Sequence, residues 1–223
     1  MYCESYGVYE NQFSHEEVIA LVTTLGADAP IRAGVRNILD LPAVLPIVRS
    51  EQIRALVARY LSDSAVCVRG ILFDKTQESN WNLPFHQDTK IAIKKRGSSP
   101  GYSQYREKDG VLHVCPPATV LARQIAVRIH LDPCSANSGP VRIIPDSDRY
   151  GVLEQEQIGR LITQTSPIDC AGGEGSVLVF RSLLLHGSDR STSPLRRRVL
   201  HLEFCDAQLH SSIEWNWCIT LYP

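Results

Sequence analysis

The run Phe85-His86-Gln87-Asp88 constrains this chain most, because it makes chemical sense only with His186 and Arg197, about a hundred residues later. Side chains in an extended strand alternate between faces, so His86 and Asp88 are expected to project the same way. An imidazole and a carboxylate on one surface, completed by the histidine of Leu185-His186-Gly187-Ser188, make a 2-His-1-carboxylate facial triad. Such a triad holds one face of a divalent iron and leaves the opposite positions open for further ligands and O2. Arg197 adds a planar fork that can grip a carboxylate. The bare tripeptide His-x-Asp is common by chance. Its weight comes from Pro84-Phe85 before it and from the His-x-Ser and arginine-rich run downstream.

The chain around these residues reads as strands. From Ala65 onward the hydrophobic period is two, over Val66 to Phe73, Phe85 to Ile93, Gln124 to Asp132, Val141 to Ile144, Ser176 to Phe180 and the run from Arg197. Short strands separated by turn residues predict an all-β core of two facing antiparallel sheets, a cupin-like jelly roll or double-stranded β-helix. Helices are expected beside it. Ser14 with Glu17 three residues on forms a capping signature, Val18, Leu21 and Val22 continue the stripe, and Gly26 stops it. A second helix is expected over about 50–61 and a short one from Glu154 to Ile162, with 28–37 as loop or short strand. The chain is read as one domain over 1–223, its helical part at about 14–62 and its barrel at about 65–205. Residues 94–118 interrupt the pattern with charges and turn formers, and are expected to be a lid of little regular structure.

These blocks resemble the phytanoyl-CoA dioxygenase family of iron(II)- and 2-oxoglutarate-dependent oxygenases. The resemblance rests on Trp81 through Asp88, on Ile129-His130-Leu131-Asp132 with Asn137 through Ser147, and on Val179-Phe180-Arg181 through His186-Gly187-Ser188, closing on Arg197 to Leu202. It covers roughly 65–205. In the family the middle block usually ends Pro-Gly-Ser-His, whereas here it ends Pro145-Asp146-Ser147-Asp148, a departure at a turn and not at a ligand.

The resemblance implies that His86, Asp88 and His186 bind Fe(II) and that 2-oxoglutarate chelates the metal. The far carboxylate of the oxo-acid would then lie on Arg197, with Ser188 adding a hydroxyl hydrogen bond. O2 would be the oxidant, with hydroxylation of a small metabolite and release of succinate and CO2 as the usual outcome. Related halogenases carry a small residue where this chain has Asp88, which argues against halogenation. Desaturation, ring formation and epoxidation share the same ligands.

By position alone Lys75 reads as a solvated loop charge, although the resemblance lets a basic residue there approach the oxo-acid. Arg128 shares a strand face with His130 and Asp132 and is the expected cavity residue. His113, read as a loop histidine, and Asn82 are further candidate substrate contacts. In the last strand Arg197 should point inward with Val199 and His201, while Arg198, Leu200, Leu202 and Phe204 face the helices. Arg196 and Arg198 are expected as surface cations or salt-bridge partners. The aromatic tail with Trp215, Trp217 and Tyr222 should pack on the sheet.

Composition excludes several classes. A formal net charge of −1 without a basic tail does not suit nucleic acid. Seven scattered cysteines with no C-x-x-C pair indicate neither a zinc ribbon nor a disulfide framework, and suggest reduced thiols in a cytoplasmic protein. No signal peptide or membrane-spanning run is read, so a membrane partner is not expected. The surface lacks the clustered cations a CoA would need outside 94–96 and 196–198, which favours a small natural-product or amino-acid-derived substrate. Two other readings stay open on the residues alone. One is a cupin-type iron oxygenase that needs neither 2-oxoglutarate nor Arg197, the other a non-catalytic β-barrel binding protein.

Overall fold

The computed structural model describes residues 4–27 and 33–222, and among them the chain forms fourteen strands. In chain order they are β1 (Tyr6–Tyr9), β2 (Ala33–Arg36), β3 (Val66–Lys75), β4 (Leu83–His86), β5 (Ile91–Ile93), β6 (Ser103–Lys108) and β7 (Val111–Cys115). β8 (Gln124–His130), β9 (Val141–Ile143), β10 (Ile168–Cys170), β11 (Val177–Arg181), β12 (His186–Ser188), β13 (Arg197–Cys205) and β14 (Ile219–Thr220) follow. Helices α1 (His15–Thr24), α2 (Leu45–Val48) and α3 (Glu51–Ala58) precede β3, and α4 (Ala118–Leu121) and α5 (Gln155–Gln164) lie between later strands.

The strands form three antiparallel sheets. The largest runs β1-β11-β8-β13-β3-β14, with β2 also on β3, and a four-stranded sheet of order β10-β9-β12-β4 faces it. β5, β7 and β6 form the third. One face of the large sheet buries Val127, Ile129, Leu131, Leu200, Leu202 and Phe204 against α1 and α3, as the alternation in β8 and β13 predicts. Its other face meets Val141, Ile143 and Leu184 through Ala126, Leu178 and Phe180. The jelly roll with flanking N-terminal helices is the observed architecture.

Local signals explain the helices. Ser14 and Glu17 close the expected capping box, with the Ser14 amide donating to the Glu17 carboxylate at 2.7 Å. Gly26 then turns the chain at φ 60°. Ser50 caps α3 through the Ile53 amide. Of the expected loop or short strand over 28–37, residues 28–32 lie outside the described residues and 33–36 form β2, and Cys3 is likewise outside them. The tail packs as expected for Trp215, which is buried, and for Trp217, which donates to Asp40 at 2.7 Å. Tyr222 remains 46% exposed.

Two expectations are corrected. Residues 94–118 are not irregular, because β6 and β7 form a hairpin that adds β5 and packs Ile91, Ile93 and Val114 with Trp215. Its turn is Asp109-Gly110, with φ 52° and 75°, the doubly left-handed geometry that a two-residue hairpin turn requires. The single strand expected from Phe85 to Ile93 is two. β4 ends at His86 in the small sheet and β5 starts at Ile91 in the third sheet.

Candidate active site

β12 pairs with β4 so that His186 lies directly opposite His86. Their ring centroids are 4.4 Å apart. Nδ1 of His86 lies 2.8 Å from the Pro84 carbonyl and Nδ1 of His186 lies 2.8 Å from the Leu184 carbonyl. A carbonyl only accepts, so each Nδ1 carries the proton and each Nε2 keeps its lone pair. Both Nε2 atoms face Asp88, at 3.7 Å from Oδ1 for His86 and 3.5 Å from Oδ2 for His186. The three donor groups lie within 4.8 Å of one another. Ligands roughly 2.0–2.2 Å from an ion sit roughly 3–4 Å apart, so the spacing fits a cation.

Asp88 does not reach this point by strand alternation. The chain leaves β4 after His86, and the Asp88 amide donates to the Ser182 carbonyl at 2.9 Å. Buried Gln87 locks the turn, donating to the Gly151 and Leu183 carbonyls and accepting from the Leu153 amide. On the other side Ser147 fixes the approach to His186, its hydroxyl donating to Ile144 and accepting from the Leu185 amide at 2.7 Å. The turn before it has Asp146 at φ 60°, a backbone that suits the glycine more usual there.

Electrostatics favour cation binding. Burial brings the His186 pKa down to about 4 despite the neighbouring Asp88. Burial pushes the Asp88 carboxyl up, but His186, His86, His201 and Arg69 outweigh it and hold the group below its usual range. At neutral pH His186 is therefore neutral and Asp88 ionised, the states a metal ligand needs.

The cavity beside this cluster encloses about 320 Å³ and is lined by Trp81, Arg128, Ser188, Arg197 and His201, among others. Arg197 is 4% exposed and donates through Nε to the Ser138 carbonyl at 3.1 Å. Gly139, at φ 64°, leaves room next door for Lys75 and Asp189, since a Cβ there would collide with the Asp189 carbonyl oxygen and come within 3.0 Å of Lys75 Nζ. Lys75 is 1% exposed at the end of β3 and donates to the Asp189 carbonyl at 2.6 Å. The expectation of a solvated loop charge is thus corrected, because β3 runs two residues further than its apolar core and carries Lys75 inside. Burial, then Arg197 and Arg128, lowers the Lys75 pKa to about 8.

Arg128 is buried, with its pKa brought down to about 10 by burial and by Arg197, and its Nε has no hydrogen-bond partner. Among the described residues no carboxylate lies within ion-pairing distance of Lys75, Arg128 or Arg197. Asp132 and Asp74, the obvious candidates, are taken by Arg198 and Arg196, as expected of those arginines. Three interior cations without a carboxylate form a site for an anion. Ser188 adds a buried hydroxyl to the same wall. His130, by contrast, is engaged with Ser176.

Two further candidates sit in surroundings other than those expected. Asn82 is exposed and does not line the cavity, whereas half-buried Trp81 and exposed Leu83 on either side of it do. His113 is not a solvated loop residue. It sits buried on β7 and faces a second cavity of about 240 Å³ that shares Arg69 and Asp88 with the first.

Sequence reasoning missed a buried polar network on the cavity wall. Glu203, 1% exposed, accepts from Arg69 at 3.0 Å and from Gln124 at 2.9 Å. His201 lies between Arg128, 3.0 Å from its Nδ1, and Glu203, 3.2 Å from its Nε2. Asp88, His201 and Glu203 also form a ligand-like cluster. Arg128 can only donate, so Nδ1 of His201 accepts and Nε2 carries the proton, leaving no lone pair for a metal. The available signal was a charged residue inside each of two apolar strands, Arg69 in β3 and Glu203 in β13.

A jelly roll whose facing sheets bring two histidines and one carboxylate together beside buried cations defines the class of cupin-type non-haem iron oxygenases. The sequence model of phytanoyl-CoA dioxygenase (PhyH) matches residues 32–199, and the chain belongs to that family. It is therefore an oxidoreductase of the iron- and 2-oxoglutarate-dependent dioxygenase class, which also uses O2. Solved structures share the fold. EctD from S. alaskensis in its apoform aligns at 19% identity and a TM-score of 0.70, over 99% of this chain and 81% of that one. HygX from Streptomyces hygroscopicus with nickel and 2-oxoglutarate bound aligns at 16% and 0.62, over 91% and 83%. The non-heme alpha ketoglutarate dependent carbocyclase SnoK from nogalamycin biosynthesis aligns at 12% and 0.65, over 92% and 81%. No curated protein matches the chain. Among the described residues no helix is long and apolar enough to cross a membrane.

Proposed function

We propose that the protein hydroxylates a small metabolite, natural-product or amino-acid-derived, with Fe(II) held by His86, Asp88 and His186 and with 2-oxoglutarate converted to succinate and CO2. The observation that carries this reading is the conjunction of a three-donor cluster with Lys75, Arg128 and Arg197, buried cations that no described carboxylate neutralises. The donor set fits iron: two neutral imidazoles and one carboxylate suit a borderline divalent ion and fill one face of it. The cation trio fits a dicarboxylate oxo-acid. A cupin-type oxygenase that used no oxo-acid would have no need of that trio.

When bound, iron and oxo-acid together supply the O2 activation needed to attack an unactivated C–H bond. The residues of this chain do the rest. The Pro84 and Leu184 carbonyls hold the Nδ1 protons of the two ligand imidazoles and so fix which nitrogen faces the metal. Arg197, aimed by Ser138, receives the far carboxylate of the oxo-acid, with Lys75 and the Ser188 hydroxyl beside it. Arg128, 3.0 Å from His201 Nδ1 and over the Phe73 ring, adds a further positive charge to the same cavity. Phe73, Trp81 and Val141 give the cavity an apolar wall.

A cavity of about 320 Å³ suits a small molecule. The 5-hydroxyectoine in one EctD structure and the hygromycin B in one HygX structure support small-molecule chemistry for the fold. The six described cysteines are all free, which supports a reducing, cytoplasmic setting. The test is succinate release from 2-oxoglutarate in the presence of Fe(II) and O2. Wild type is expected to release it, while His186→Ala and Asp88→Ala fall by at least a hundredfold. Equal turnover in all three would remove the assigned centre.

A further inference from the structure

The side of the site away from Lys75 and Arg197 is also cationic, and nothing in the reaction with 2-oxoglutarate requires it to be. Arg36 and Arg69 line the first cavity, and Arg69, Lys90, Arg106 and Lys108 line the second. They come from β2, β3, β6 and the loop after Asp88, so this is a convergence in space and not a run in sequence. On β6 Arg106 and Lys108 share one face, with Glu107 on the opposite one. Arg106 lies across the hairpin from His113.

The charges do not cancel. Five cations meet two carboxylates besides the ligand Asp88, namely Glu203 on Arg69 and Asp109 on Arg36. The whole chain has a formal net charge of −1, so this excess is local. Arg36 also carries a buried Nε with no hydrogen-bond partner. Burial, then the nearby Arg36 and Arg69, lowers the pKa of Lys108. Like charges gathered in a cleft repel one another, and a bound anion removes that cost.

Building on the reading of the site as a small-molecule oxygenase, we propose that its primary substrate is an acid carrying an oxyanion group of charge two or more, held by Arg36, Arg69, Arg106 and Lys108. A phosphoryl group and a pair of carboxylates present the same chemistry to these side chains, since guanidinium forks match either one. The two cavities meet at Arg69 and Asp88, which places the anionic group beside the metal ligands and the carbon to be oxidised in the first cavity.

The test is calorimetric titration of the anaerobic Fe(II)/2-oxoglutarate complex, at constant ionic strength, with methylphosphonate, isophthalate and benzoate. Isophthalate carries two carboxylates too divergent to chelate one metal. Saturating 2-oxoglutarate blocks the Lys75/Arg197 end, and the visible band of the complex reports that end separately. A phosphonate or isophthalate affinity at least tenfold above benzoate, lost at least tenfold in R106Q/K108Q but kept in the charge-matched control R59Q/R160Q, is the expected result. The better of the two dianions identifies the source of the charge. Equal affinities for all three probes overturn the proposal, as does equal loss in both double variants. So does an R106Q/K108Q effect confined to the rate of 2-oxoglutarate arrival, which would make the cations a steering field. If instead the visible band never forms while methylphosphonate still binds, the oxo-acid reading falls and the anion pocket stands.

Discussion

Replacing Arg197 by methionine should separate function from stability. Arg197 is 4% exposed, and its guanidinium donates through Nε to the Ser138 carbonyl. Losing that bond costs about 1 kcal/mol. Against it stands the relief of a buried charge that no described carboxylate pairs, and burying an ion costs several kcal/mol in real proteins. Methionine has similar length and adapts to irregular space. The iron-free variant should therefore unfold within about 4 °C of wild type, or above it, since 1 kcal/mol moves a chain of this size by roughly 2–4 °C. The oxo-acid should suffer far more. Even with Lys75 and Ser188 still beside it, a buried carboxylate that loses its guanidinium forfeits roughly 3–5 kcal/mol. At 1.4 kcal/mol per tenfold, the affinity should fall roughly a hundred- to a few-thousandfold. Circular dichroism melts of the apoprotein and an anaerobic 2-oxoglutarate titration measure the two quantities. A variant that melts many degrees lower yet binds 2-oxoglutarate normally would make Arg197 a structural residue and refute the reasoning.

Lys75, lowered to about 8 by burial and by Arg197 and Arg128, gives a pH prediction. An anion favours its protonated form, so 2-oxoglutarate affinity should hold below pH 8 and fall by up to about tenfold per unit above it, a slope absent from Lys75→Met. His186, lowered to about 4, acts on the stability of the apoprotein. Its folded value lies below the ordinary ~6.5, so its contribution is full above pH 6.5 and is lost as pH falls toward 4. Urea midpoints at pH 7, 5.5 and 4.5 should decline, and less steeply in His186→Gln. Glu203→Ala removes a buried carboxylate from half-buried Arg69 and should destabilise by roughly 3 kcal/mol, with Arg69→Met in the same chain recovering much of the loss. A double-variant urea midpoint no better than that of the single one would contradict the coupling.

The sequence made some of this site visible and hid the rest, for physical reasons. His86, Asp88, His186 and Arg197 were readable because metal and carboxylate chemistry demands those residue types at those spacings. The helix-facing and cavity-facing sets of β8 and β13 followed from alternation, which places Leu200 and Leu202 outward and Arg197 and His201 inward. His86 and Asp88 are neighbours as expected, but not through alternation, because the strand ends between them. That turn is fixed by Gln87, whose partners lie 64 and 96 residues away. Asp109-Gly110 was a local hairpin signal inside a stretch dominated by charges, and its neighbours hid it. Lys75, Asn82 and His113 turned on which way one side chain points, and only the register of the finished sheets decides that. Arg69 and Glu203 looked like ordinary strand charges until β3 and β13 paired.

The central claim is that three side chains hold one Fe(II) next to an oxo-acid, and anaerobic addition of Fe(II) and then 2-oxoglutarate to the purified apoprotein tests it most directly. One equivalent of iron should bind, and 2-oxoglutarate should then raise a weak visible metal-to-ligand charge-transfer band that is missing in His86→Ala. Iron that binds equally well to His86→Ala, or a band that never develops in wild type, would contradict the account.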